Sequence, residues 1–146
     1  MPVDVQVETT IAAPRERVAA FAGDPGNAPR WYTNIKSVDW VTPPPVALGS
    51  RMTFVAHFLG KRLEYTYEVV ERVPGEKLVM RTAQGPFPME TTYTWETRGD
   101  GTFMTLRNRG EPSGFSRLMA PMMAMAMRRA TTQDLARLKA LLEGPG

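Results

Sequence analysis

Five consecutive segments between Arg51 and Arg109 alternate apolar and polar side chains, and after Gly114 the period lengthens to about 3.6 residues. Alternation puts successive side chains on opposite faces of a strand, so each segment has one apolar and one wet face. The segments are Arg51 to Leu59, Arg62 to Glu71, Lys77 to Ala83, Met89 to Thr97 and Thr102 to Arg109. Gly60-Lys61, Pro74-Gly75, Gly85-Pro86-Phe87-Pro88 and Gly99-Asp100-Gly101 separate them, and turns this short join antiparallel neighbours. The last segment, Phe115 to Glu143, predicts one long helix with a kink at Pro121. Met123, Ala124, Met127, Thr131, Leu135, Leu138, Leu141 and Leu142 form its apolar stripe. An antiparallel meander followed by a helix is an α+β pattern.

The N-terminal third adds a strand from Val3 to Ile11 and a short helix from Arg15 to Phe21, with Pro14 in its first turn. A second short helical piece lies at Trp31-Tyr32, and a strand from Val38 to Val41 ends at Pro43-Pro44-Pro45. No repeat or linker interrupts the 146 residues, so one domain spanning 1–146 is expected.

Parity then selects the inward side chains. They are Met52, Phe54, Ala56 and Phe58 on one strand, and Leu63, Tyr65, Tyr67 and Val69 on the next. Leu78, Met80 and Thr82 follow, then Met89, Thr91, Tyr93 and Trp95, then Met104, Leu106 and Asn108. None of these is Asp, Glu, Lys, Arg or His, so the predicted interior holds no ionisable group but tyrosine. Phenol and indole tips are costly in a dry core unless each finds a partner. Two arrangements meet that demand: a packed core with local hydrogen bonds, or a cavity that takes an apolar ligand bearing some polar groups.

Composition narrows the chemistry. With no cysteine and a single histidine, the chain has no thiolate or multi-histidine metal site, and no cysteine nucleophile. His57 shares parity with the outward residues Arg51, Thr53 and Val55, which makes it a surface histidine, and no serine has an evident histidine partner. Asp24 before Pro25 reads as a turn-former, and Arg30 as a surface cation. Net charge is −1 over residues 1–100 and +4 over 101–146, yet no run of basic residues forms, so nucleic acid is not an expected partner. The N-terminus has no basic start followed by an apolar block. The longest apolar stretch, Leu118 to Met127, is half of the ~20 residues a membrane span needs, so a cytoplasmic protein without stable membrane insertion is expected.

Several signposts carry a resemblance. They are Ala13-Pro14-Arg15-Glu16-Arg17-Val18, Asp24-Pro25, Pro29-Arg30-Trp31, Gly49-Ser50-Arg51 and Val70-Glu71-Arg72-Val73-Pro74. Gly101-Thr102, Asp134-Leu135 and Leu138-Lys139-Ala140-Leu141-Leu142-Glu143 complete the series. In this order the chain resembles the superfamily of START-type lipid-transfer domains and birch-pollen-allergen-like proteins (SRPBCC), in its bacterial polyketide cyclase/dehydrase-like branch. The resemblance implies a helix-grip fold: a curved antiparallel sheet of about six to seven strands wrapped around a long C-terminal helix, with two short helices after the first strand and a hydrophobic cavity between sheet and helix. It implies no universal catalytic motif. The stiff Pro43-Pro44-Pro45 loop departs from the glycine-rich loop of the plant members, so no loop-mediated ligand contact carries over.

The expected function is therefore binding or transport of a small hydrophobic ligand, aromatic, polyketide or lipid-like, without metal or cofactor. The expected lining is Trp31, Phe54, Phe58, Tyr65, Tyr67, Met80, Tyr93, Trp95, Met104, Asn108, Met123 and Met127. A cyclase/dehydratase using the same cavity is the alternative, with Tyr65, Tyr67, Tyr93 and Asn108 polarising a carbonyl. A protein-interaction module with a filled cavity is a third reading. Methionines are concentrated between Met119 and Met127, where an adaptable wall, or a homodimer contact, is expected.

Overall fold

The computed structural model describes residues 3–58, 60–85, 88–111 and 120–144, without the side chains of residues 58 and 120. The chain runs β1 (Val3–Ile11), α1 (Arg15–Ala22), a 3-10 turn (Pro25–Asn27), α2 (Ala28–Trp31), β2 (Ile35–Trp40) and β3 (Arg51–Phe58). It continues with β4 (Lys61–Val73), β5 (Lys77–Gln84), β6 (Met89–Arg98), β7 (Gly101–Gly110) and α3 (Ala120–Glu143). The seven strands form one antiparallel sheet in the order β1-β7-β6-β5-β4-β3-β2. From β2 to β7 each strand pairs with its neighbour in sequence, and β1 closes on β7. This is the helix-grip arrangement, with the sheet curled around α3.

Local differences from the sequence expectation have local causes. β2 starts at Ile35 and ends at Trp40, and a bulge between Ile35 and Ser37 hides its alternation. Pro14 precedes α1 as its extended N-cap, and its carbonyl accepts from Arg17 and Val18. Asp24 behaves as expected, its Oδ1 accepting from the Gly26 N–H at 2.9 Å and opening the 3-10 turn. Gly23 ends α1 where no larger residue fits: a Cβ there would lie 2.6 Å from the Ala19 carbonyl oxygen and 3.2 Å from the Trp95 ring. The helix expected from Phe115 is described from Ala120 onward, and the kink expected at Pro121 adjoins residues outside the description.

The core lies between sheet and α3. Val3, Val5, Val7 and Ile11 of β1 are buried with Leu135, Leu138 and Leu142 of α3, and burying each leucine is worth roughly 1.5–3 kcal/mol. Leu141, placed on the apolar stripe from the sequence, is 40% exposed, because the stripe that meets β1 is narrower than the helical projection. Polar ties hold the same interface. Arg128 donates to the Gln6 carbonyl at 3.0 Å, and Lys139 to the Thr10 carbonyl at 2.7 Å. Glu143 accepts from the Ala12 N–H at 2.7 Å. The two cations occupy carbonyls of an edge strand, and the carboxylate takes the N–H just beyond its end, groups that would otherwise invite another strand.

Candidate functional site

The inward side chains do not fill the space under the curled sheet. A cavity of about 130 Å3 remains between β3–β7, α3 and the segment from α1 to β2. Its walls are mainly apolar, with Phe54, Leu63, Leu78, Met80 and Met123 among them. An apolar cavity of roughly 150 Å3 accepts benzene, so the space as it stands suits one aromatic ring. A larger groove of about 730 Å3 runs outside between α1, Pro44-Pro45 and the β4–β5 turn. The two spaces share Gly23 and Leu78. The inner one is the better candidate because buried polar groups converge on it.

Register creates the first polar grouping. Thr91 of β6 pairs with Asn108 of β7, and its hydroxyl donates to Asn108 Oδ1 at 2.7 Å. Tyr67, on β4, reaches past β5 to put its hydroxyl 2.8 Å from Thr91 Oγ1. A threonine hydroxyl has one proton, already given to Asn108, so Tyr67 is the donor in that contact. The chain therefore runs from Tyr67 through Thr91 to the Asn108 carbonyl and leaves the Asn108 amide N–H groups to face other partners.

The second grouping joins three elements. Tyr32, the residue after α2, places its hydroxyl 2.6 Å from that of Tyr93 on β6. Trp31 supports both, its ring 4.2 Å from Tyr32 and 5.8 Å from Tyr93 between centroids. From α3 comes Asp134, only 1% exposed, whose Oδ1 accepts from the Thr33 N–H at 3.0 Å and the Thr33 hydroxyl at 3.1 Å. Tyr32, Tyr93 and Asp134 all line the cavity. Thr131 lines it too, but its hydroxyl is turned back on its own helix, donating to the Met127 carbonyl at 2.8 Å.

Burial sets the protonation states. It raises Tyr32 and Tyr65 well above the usual phenol range, with neighbouring phenols adding to the effect. Tyr67 is pushed up to about 12, burial outweighing its bond to Thr91, and burial likewise raises Tyr93 despite the bond to Tyr32. All four phenols stay neutral near pH 7 and act as donors, never as bases. Asp134 differs: desolvation raises its carboxyl to about 6, against the opposing pull of the Thr33 bonds and Arg137. Asp134 corrects the expectation of an interior without ionisable groups other than tyrosine. Among the described residues, no three His, Cys, Asp or Glu side chains gather into a metal site.

The sequence matches the family model for polyketide cyclase / dehydrase and lipid transport over residues 2–143. The chain belongs to that family. No curated protein matches it. Among solved structures, TTHA0849 from Thermus thermophilus superposes with a TM-score of 0.83 at 23% identity, over 95% of this chain and 96% of that one. A START superfamily protein from Mycobacterium smegmatis gives 0.81 at 17% identity, over 96% and 97%. The Zhui aromatase/cyclase from a Streptomyces species gives 0.81 at 14% identity, over 98% and 94%. At these identities the structures share the fold.

Within this member of the polyketide cyclase / dehydrase and lipid transport family, the expected lining residues divide into two groups. Phe54, Tyr65, Tyr67, Met80, Tyr93, Asn108, Met123 and Met127 border the cavity. Trp31, Trp95 and Met104 are buried but stand outside its lining. Trp31 buttresses the Tyr32–Tyr93 pair, and Trp95 closes the floor of the outer groove. The Phe58 side chain lies outside the described structure. Tyr32, Thr91 and Asp134 line the cavity but are absent from the expected lining. Thr91 belongs to the inward set by parity. Tyr32 precedes a strand, where parity does not apply. Asp134 follows the stripe residue Thr131 at three residues' distance, a helical signal that was available.

Proposed function

We propose that this protein binds a small hydrophobic molecule in the cavity between sheet and α3. The observation that carries this reading is an apolar space of about 130 Å3 that the fold leaves open beside neutral phenols and one buried carboxyl. The family and its structural neighbours, an aromatase/cyclase and a START superfamily protein among them, support a ligand of aromatic, polyketide or lipid character. Larger members of those classes require Met123, Met127 and Met80 to re-pack, which unbranched thioethers do readily. No metal or redox cofactor enters the reading, and neither does nucleic acid. No helix among the described residues is long and apolar enough to cross a membrane. A cytoplasmic location is carried as part of the same proposal.

A cyclase or dehydratase is the second reading, and Asp134 favours it. A carboxyl held near 6 can exchange a proton at neutral pH while the phenols polarise a carbonyl. The Met119–Met127 region carries the homodimer reading: Met122 and Met125 are 64% and 73% exposed, and Met119 lies outside the described residues. Sedimentation of the wild type and M125K tests it, with loss of a dimer in the variant as the expected result.

Native mass spectrometry of gently purified protein tests the main reading. A co-purifying small molecule, or uptake of added one-ring aromatics, is expected. Failure of every such probe to bind, with an interior that excludes them, would overturn both the carrier and the enzyme readings in favour of a filled interaction module.

A further inference from the structure

Binding in an apolar cavity leaves open which polar group a ligand must carry, and the Tyr32–Tyr93–Asp134 grouping answers that through hydrogen-bond arithmetic. Two hydroxyls 2.6 Å apart share one proton, so the other phenol proton needs an acceptor elsewhere. Asp134 uses only Oδ1 for Thr33, and no described residue donates to Oδ2. Thr131, the nearest helical hydroxyl on the same lining, is spent on Met127. On this wall the Tyr32–Tyr93–Asp134 grouping thus presents one unclaimed donor and one unclaimed acceptor, brought there by α3, β6 and the residue after α2.

We propose that this wall is a hydroxyl-recognition subsite: the cavity selects a one-ring ligand whose uncharged hydroxyl donates to Asp134 Oδ2 and accepts from the free phenol of the Tyr32–Tyr93 pair. The inference rests on the binding function proposed above and specifies its ligand class. A hydroxyl is the smallest group that supplies both a donor and an acceptor. An ammonium would satisfy the carboxylate but offers no acceptor, leaving the phenol proton unpaired in an apolar site. A ketone would satisfy the phenol but not the carboxylate. The volume of about 130 Å3 limits the body of the ligand to about one ring without repacking. Near neutral pH the carboxylate form predominates, which favours an acceptor role; the charged and titratable groups around it are Tyr32, Tyr93 and, on α3 itself, Arg137.

Phenol, toluene and benzylamine, compared by ligand-detected NMR titration, test the subsite, since phenol and toluene have nearly the same shape. At about pH 7.5 the wild type is expected to bind phenol about tenfold more tightly than toluene, the worth of one hydrogen bond to a charged acceptor. In D134N the Asn carbonyl still accepts from Thr33 while its NH2 replaces the free acceptor, so the phenol preference is expected to vanish with toluene affinity unchanged. In the wild type, the preference is also expected to shrink when the pH is lowered to about 5. This titration needs no substitution, so it stands even if D134N does not fold. Equal binding of phenol and toluene, a preference that survives both D134N and acidification, or tighter binding of benzylammonium than phenol would each overturn the subsite while leaving the cavity function intact. Failure of toluene and phenol alike to bind would overturn the cavity function, and the subsite with it.

Discussion

The Asp134 carboxyl makes a prediction about stability that is independent of any ligand. Folding raises its pKa from 3.8 to about 6, with desolvation as the largest cause. Between those values the folded protein holds a proton that the unfolded chain has released. Stability contributed by this site is therefore fully present below pH ~4 and lost as pH rises through ~6. The shift corresponds to roughly 3 kcal/mol. Asp134→Asn removes the titration while keeping a carbonyl oxygen for both Thr33 bonds. Relative to the wild type, the variant is expected to gain on the order of 3 kcal/mol in stability between about pH 4 and pH 8, a relative rise of roughly 6–12 °C in Tm. Asp4, Glu90 and Glu143 have lowered pKa values through their bonds to Arg107, to Arg81 and Arg109, and to Lys139. Their contributions have the opposite sign, present above the unfolded carboxylate range and lost on acidification, and they cancel when the two proteins are compared at each pH. Urea unfolding at several pH values checks the difference. A wild-type-minus-variant curve that is flat from pH 4 to 8, or that slopes the other way, would refute a buried, desolvated carboxyl at this position.

Three further substitutions probe how the fold holds the cavity. Leu138→Ala, at a fully buried position on α3, is expected to cost about 2–5 kcal/mol in urea unfolding. Thr102→Val removes the buried bond from Thr102 Oγ1 to the Ala13 carbonyl and is expected to cost roughly 1–3 kcal/mol, measured the same way. Gly23→Ala places a Cβ 2.6 Å from a backbone oxygen and 3.2 Å from the Trp95 ring; we expect a lower Tm and a changed near-UV circular dichroism signal from that indole.

Much of this architecture was legible because β-strand parity is strict and turn residues are conspicuous. The inward set read from Met52 to Asn108 supplies eleven of the cavity-lining residues, and the two α3 methionines make thirteen. Parity reports direction, however, and not depth. Trp95 and Met104 point inward as expected, yet α1 covers the former through the close approach at Gly23, and neither reaches the cavity. Parity is also silent on segments that are not strands, which is why Tyr32 escaped it. On α3 the projection ran too wide: Leu141 belongs to the apolar arc but is exposed, while Asp134 is more buried than that leucine. A hydropathy stripe treats a carboxylate as an outward residue, and it cannot see that Thr33, a hundred residues earlier, would supply two donors to that carboxylate.

Those two donors also separate what is structural at Asp134 from what is not. Both bonds fall on Oδ1 and tie the segment after α2 to α3, and an asparagine carbonyl would accept them equally well. The tether therefore does not require an acid. What the acid adds is a second oxygen beside two phenols, at the cost of desolvating a charge above pH ~6. An amide at that position would turn a second donor toward the subsite and leave the proton of a bound hydroxyl without an acceptor. The oxygen that holds the loop explains why a polar residue stands there; only the oxygen that holds nothing explains why it is an aspartate.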